Sequence, residues 1–128
     1  MIDYDGRRFR AVANTANGET SADTIFQYRQ SGNVISAEYR GGAIVCGHLL
    51  GLVDADGSLD FRYHQVNDRG EIQTGECRSI PERLPDGRLR LHERWQWTSG
   101  DRSSGTSTIE EIVDEGGGDG PPKAMPAV

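Results

Sequence analysis

The stretch LRLHERWQWT, Leu89 to Thr98, alternates apolar and polar character with a period of two. Leu89, Leu91, Glu93, Trp95 and Trp97 fall on one face, while Arg90, His92, Arg94 and Gln96 fall on the other. Successive side chains of an extended chain point to opposite sides of a sheet, so this pattern predicts a strand with one buried and one wet face. The same split recurs upstream, where Leu59, Phe61, Tyr63 and Gln65 oppose Asp60, Arg62 and His64. By that rule Phe26 and Tyr28, and then Ile35, Ala37 and Tyr39, point inward from two further strands. One buried and one solvated face is the habit of antiparallel sheets.

Between these segments the chain is punctuated by turn-forming pairs: Asp5-Gly6, Asn17-Gly18, Ser31-Gly32, Gly41-Gly42, Asp56-Gly57, Arg69-Gly70, Asp86-Gly87 and Ser99-Gly100. The spacing leaves room for one short strand or a strand and a turn, and no interval carries a good helical apolar repeat. Strands are expected near Arg7 to Ala13, Asp23 to Gln30, Val34 to Arg40, Ala43 to Val53, Leu59 to Val66, Ile72 to Ile80, Arg88 to Thr98 and Gly105 to Val113. The predicted fold is all-β: an antiparallel up-and-down meander that closes into a β-barrel of roughly eight to ten strands. A single domain over residues 1–113 accounts for this pattern. From Asp114 the composition changes to DEGGGDGPPKAMPAV, and residues 114–128 are expected to form a disordered Gly/Pro-rich tail.

Apolar residues make up only 34% of the chain and the net charge is −6. An acidic chain lacks the basic face that phosphate backbones require, so nucleic acid is not an expected partner. No run approaches the roughly 20 apolar residues of a membrane span, and MIDYDGRRFR has no signal-peptide core, so the expected setting is cytoplasmic and away from the membrane. Cys46 and Cys77 would then be reduced thiols, and neither sits in a CxxC or zinc-ligand spacing. Ala43 to Val53 is apolar on both faces, so its register is not readable, and a homodimer interface or the amino-terminal segment is expected to cover it.

Glu93 is the side chain most suggestive of chemistry, because it shares its face with Leu91, Trp95 and Trp97. A carboxyl in such surroundings is neutral, paired or wetted by a cavity, and apolar surroundings raise its pKa. Three roles are open to it: an internal hydrogen bond that closes one end of the barrel, a ligand anchor, or a catalytic acid/base. Gln65 and Tyr63 are its expected partners. Tyr28, Tyr39, Phe61, Tyr63, Trp95 and Trp97 would supply an aromatic wall for a small organic molecule, or else a solid core. His48, His64 and His92 suggest a metal, but His64 and His92 share faces with arginines assigned to solvent, so neither a metal nor a cofactor is expected. Cys46 and His48 share a face at a separation of about 6 to 7 Å, too far for a direct thiol–base pair, and packing of Cys46 is the simpler expectation. The charged run Arg78, Glu82, Arg83, Asp86 and Arg88, with its two prolines, reads as a solvated loop, and SGDRSSGTS as a mobile rim.

Several strings carry a likeness to known proteins: GHLLGLVDADG, FRYHQVN, GECRS with the following PE, and LHERWQWTSGDRSSGTSTIEE. With these the chain resembles a family of small uncharacterised bacterial proteins often labelled N-acetylglutamate synthase. That label would imply an acetyl-CoA pyrophosphate held on a (Q/R)xxGx(G/A) loop that opens a helix. The nearest strings are RSSGTS from Arg102, which ends in Ser and runs into an expected strand, and RQSGNV from Arg29, which reads as a hairpin turn, so the residues argue against that activity. In architecture the chain looks more like calycins and avidins, a lipocalin-like class of barrels that bind small hydrophobic molecules. The expected function is therefore that of a barrel binding a partly apolar small molecule in its interior. The alternative is a cofactor-independent isomerase, cyclase or hydratase that uses Glu93 for proton transfer.

Overall fold

A computed structural model of the protein describes residues 2–113. Eight strands succeed one another: β1 (Arg8–Asn14), β2 (Ile25–Ser31), β3 (Val34–Gly41), β4 (Ile44–Val53), β5 (Leu59–Asn67), β6 (Ile72–Arg83), β7 (Leu89–Trp97) and β8 (Ser104–Ile112). Each pairs antiparallel with the next, and β8 returns to β1, so the sheet closes into a barrel. Every strand expected from alternation is present, and among the described residues there is no helix. The expected tail from Asp114 lies outside the described residues.

The turns explain the meander. Gly6, Gly32, Gly42, Gly57, Gly70, Gly87 and Gly100 all adopt positive φ, the conformation tight connections require and side chains resist. Gly18 does not, and its segment is a longer loop, residues 15–24, between β1 and β2. One expectation needs correction. The charged stretch around Pro81 is not a loop, because β6 continues to Arg83 with Pro81 opposite Leu91. Pairing between β5 and β6 stops at Ser79, so from there β6 has only β7 beside it, where a proline without an N–H is tolerated.

Within the expected segment Ala43 to Val53, β4 (Ile44–Val53) resolves its two apolar faces through a register shift between Ile44 and Cys46. Ile44, Leu49 and Val53 are buried, while Val45, Leu50 and Leu52 are each more than half exposed. The inner faces then divide the barrel into two halves. Toward the end that holds the amino terminus, Phe9, Tyr28, Ile35, Leu59, Leu89, Leu91 and Ile109 pack into a hydrocarbon core. Tyr4 plugs this end, fully buried, with its hydroxyl donating to the Gly57 carbonyl at 2.5 Å and its N–H donating to Gln30. Beside it Glu111 accepts from Arg7 and from the Leu89 N–H. The other half is not filled.

Candidate functional site

Glu93 stands in the middle of a cross-strand row, directly opposite Ser79 on β6 and Ser107 on β8. Both serines share its inward parity, and their hydroxyls donate to its two carboxyl oxygens at 2.9 and 3.0 Å. Burial pushes the Glu93 carboxyl up to about 7, against the downward pull of the two serine hydrogen bonds. Among the described residues its hydrogen-bond partners are these two serines, and no basic side chain pairs with it. Tyr28, whose buried hydroxyl finds no hydrogen-bond partner among the described residues, and the thiol of Cys77 lie within its electrostatic reach, and burial pushes both well above their ordinary values. Glu93 is therefore a buried carboxyl poised to titrate near neutrality.

Above Glu93 opens a cavity of about 50 Å³. Phe26, Tyr39, Phe61, Tyr63, Trp95 and Trp97 wall it, with Leu49, Cys77, Gln65 and Ser107 between them. The rings reach their places because three of them lie over glycines. Tyr39 faces Gly47, Tyr63 faces Gly75 and Trp95 faces Gly105 as direct cross-strand pairs, and a Cβ at any of these glycines would land inside the ring. Glycine under an aromatic lets the ring fold flat along the sheet and leaves the barrel axis open. Edge contacts join them further, Tyr63 to Trp97 at 5.8 Å and Trp95 to Trp97 at 5.3 Å between centroids.

The loop 15–24 roofs the cavity and contributes Gly18, Glu19 and Thr20 to its lining. It is tied down at several points. Trp97 donates its indole N–H to the Asn17 carbonyl at 3.1 Å, and Asn14 donates to both oxygens of Thr20. Glu19 reaches across the mouth to Arg69 and accepts from Gln73 at 3.1 Å. A polar chain then runs inward, with the Gln73 carbonyl accepting from Gln65, whose own carbonyl accepts from the Tyr39 hydroxyl at 2.8 Å.

Of the residues expected at the site, Glu93, Tyr39, Phe61, Tyr63, Gln65, Trp95 and Trp97 line this one cavity. Tyr28 is not among its lining residues. It sits in the packed half against Phe9, 5.0 Å between ring centroids. Gln65 and Tyr63 are not the hydrogen-bond partners of Glu93; Ser79 and Ser107 are, because they alone lie in register beside it. The serines were available from parity once β6 and β8 were aligned on β7, whereas nothing in the sequence pointed to Glu19. The histidines stay outside: His64 and His92 are exposed, and His48 meets His64 edge-on across the outer wall at 5.5 Å. Among the described residues no cluster of His, Cys, Asp and Glu is arranged to hold a metal. No helix there is long and apolar enough to cross a membrane.

A closed eight-stranded meander, plugged at one end and hollow and aromatic toward the other, defines a calycin-like barrel of the kind that takes up small ligands. The chain belongs to the avidin-like protein family, which matches residues 2–112. No curated protein and no solved structure matches it. The acetyl-transfer label gains no support from these findings.

Proposed function

We propose that this protein binds a small, partly apolar organic molecule in the upper half of its barrel, beneath the loop 15–24. The observation that carries the reading is the contrast between the two halves: hydrocarbon packing below Glu93, and above it a cavity kept open by glycines under Tyr39, Tyr63 and Trp95. A packed core would have filled this space with side chains. The free volume suffices for roughly four waters, so the buried part of a ligand is a small head group, with any remainder near the roof. The aromatics supply contact area, while Glu93 and Gln65 orient the polar end and Tyr63 closes over it. Membership of a family of ligand-binding barrels supports the same reading.

A second reading keeps the cavity and adds proton transfer: a cofactor-independent isomerase, cyclase or hydratase with Glu93 as acid/base. A carboxyl pushed up to about 7 in an apolar setting favours it. We further propose that Leu50, Leu52 and Val34 meet a second copy of the chain in a homodimer, and that the setting is cytoplasmic, where Cys46 and Cys77 stay reduced.

The test is native mass spectrometry of freshly purified protein, followed by titration with a small-molecule panel that includes biotin, read by tryptophan emission. Trp95 and Trp97, the chain's two tryptophans, both line the cavity, so binding there gives a saturable change. A clean apo mass together with emission indifferent to the whole panel would overturn the reading.

A further inference from the structure

The lining of the cavity has a one-sided electrostatic character. Six aromatic rings and two carboxyl groups, Glu93 at the floor and Glu19 at the roof, face the space, and none of the described residues that line it is a lysine, arginine or histidine. Glu19 is paired with Arg69 at the rim. Among the described residues Glu93 has no such partner: each of its oxygens accepts one serine hydroxyl and retains a free lone pair. Aromatic faces carry negative potential, so rings and carboxylate act in the same direction on a charge entering between them. The protein's net charge of −6 adds a field of the same sign.

We propose that the head group taken up is a protonated amine, a small organoammonium ion whose N–H groups donate to Glu93 while its carbon stem lies among Phe61, Tyr63, Trp95 and Trp97. This rests on the ligand-binding reading above and narrows it to a charge class. An anionic head group is disfavoured, since it would meet Glu93 with no cation beside it in a largely dry site.

The proposal carries a pH signature. Tyr28 from β2, Tyr39 from β3, Tyr63 from β5 and Cys77 from β6 face Glu93, and burial raises all four, so they stay neutral through the neutral range. Leu49 from β4 and Ser79 and Ser107 on the adjoining strands do not titrate there. The roof carboxylate Glu19 is held by Arg69. Burial carries Glu93 up to about 7, so the ammonium form binds better as Glu93 loses its proton.

Isobutylammonium, isobutanol and isobutyrate share a shape and differ in charge, and their dissociation constants can be measured by tryptophan emission or by NMR shifts of the two indole N–H groups. Expected is a cation affinity about tenfold or more above that of the alcohol at about pH 8, with isobutyrate weakest; the ratio of cation to alcohol falls about tenfold toward pH 5.5. Glu93→Gln brings that ratio to near one, while the pH series on the native protein needs no variant. Equal or better binding of the alcohol or the acid at pH 8, or a ratio independent of pH, overturns the charge class and leaves the ligand-binding reading standing. If none of the three perturbs either indole, this inference fails; a panel hit among larger neutral molecules would then separate its failure from that of the cavity itself.

Discussion

Ser107 donates its hydroxyl to Oε1 of Glu93 at 3.0 Å from the directly opposite position on β8. The bond favours the carboxylate, yet burial outweighs it and holds the group near 7 rather than its ordinary 4.5. Between those two values the native chain binds a proton that the unfolded chain has released, so stability must fall as pH rises through the window. The full effect is about 3 kcal/mol, complete somewhat above pH 7. Glu93→Gln removes the titrating group. Urea unfolding at intervals from about pH 4.5 to about pH 8.5 should find the variant similar to the native protein at the acid end and more stable by about 2–3 kcal/mol at the alkaline end. Parallel curves would place the proton elsewhere.

Gly105 leaves the space that the Trp95 ring occupies. Gly105→Ala forces the ring toward the barrel axis, into the cavity. Overpacking of this kind costs about 1–3 kcal/mol, and the displaced indole should change near-ultraviolet circular dichroism without loss of the β signal. Ligand uptake should weaken more than stability does, because the ring moves into the volume a ligand would use. Unaltered near-ultraviolet spectra would mean that the ring does not rest on the glycine.

The strands were readable because a barrel wall sorts its residues by parity alone, and β7 states that parity from Leu89 to Trp97 without a break. Glu93 stood out for the same reason, as the one carboxylate on an otherwise apolar face. Its true partners were harder to see, since a hydrogen bond between Ser79 and Glu93 depends on register between strands, and one residue of slip would replace it with another pair. The glycines within strands, Gly47, Gly75 and Gly105, passed unread beside those in turns, although their role is to hold aromatic rings flat rather than to bend the chain. The roof was hidden for a different reason. Glu19 lies in a loop without periodicity, and its partners Arg69 and Gln73 are about fifty residues away.

Leu52 is the cross-strand partner of Val34, and with Leu50 it leaves an apolar patch on the outer wall. In the homodimer proposed above this surface would serve both copies in an isologous contact. Light scattering on a sizing column should give about twice the 14.0 kDa chain mass at micromolar concentration. Leu50→Glu should return the single-chain mass with little change in unfolding midpoint, because the side chain faces solvent in the isolated barrel. A native chain that elutes as a monomer throughout would dispose of the dimer.

Glu19 fastens the roof from a largely buried position, and the Arg69 it pairs with is more than half exposed. Glu19→Ala removes its contacts to Arg69, Asn67 and Gln73 while leaving Trp97 bonded to the Asn17 carbonyl and Asn14 to Thr20. With its Arg69 end open to water the ion pair contributes about 1 kcal/mol or less, so global stability should change little. Local opening is a separate quantity, governed by the few contacts that hold a loop. The variant should therefore show faster amide exchange confined to residues 15–24, a larger acrylamide quenching constant for the two tryptophans, and faster ligand association at nearly unchanged unfolding midpoint. Faster exchange spread over all eight strands would instead make Glu19 a general stabiliser of the barrel, and unchanged exchange in the loop would show that the remaining ties suffice to keep the cavity covered.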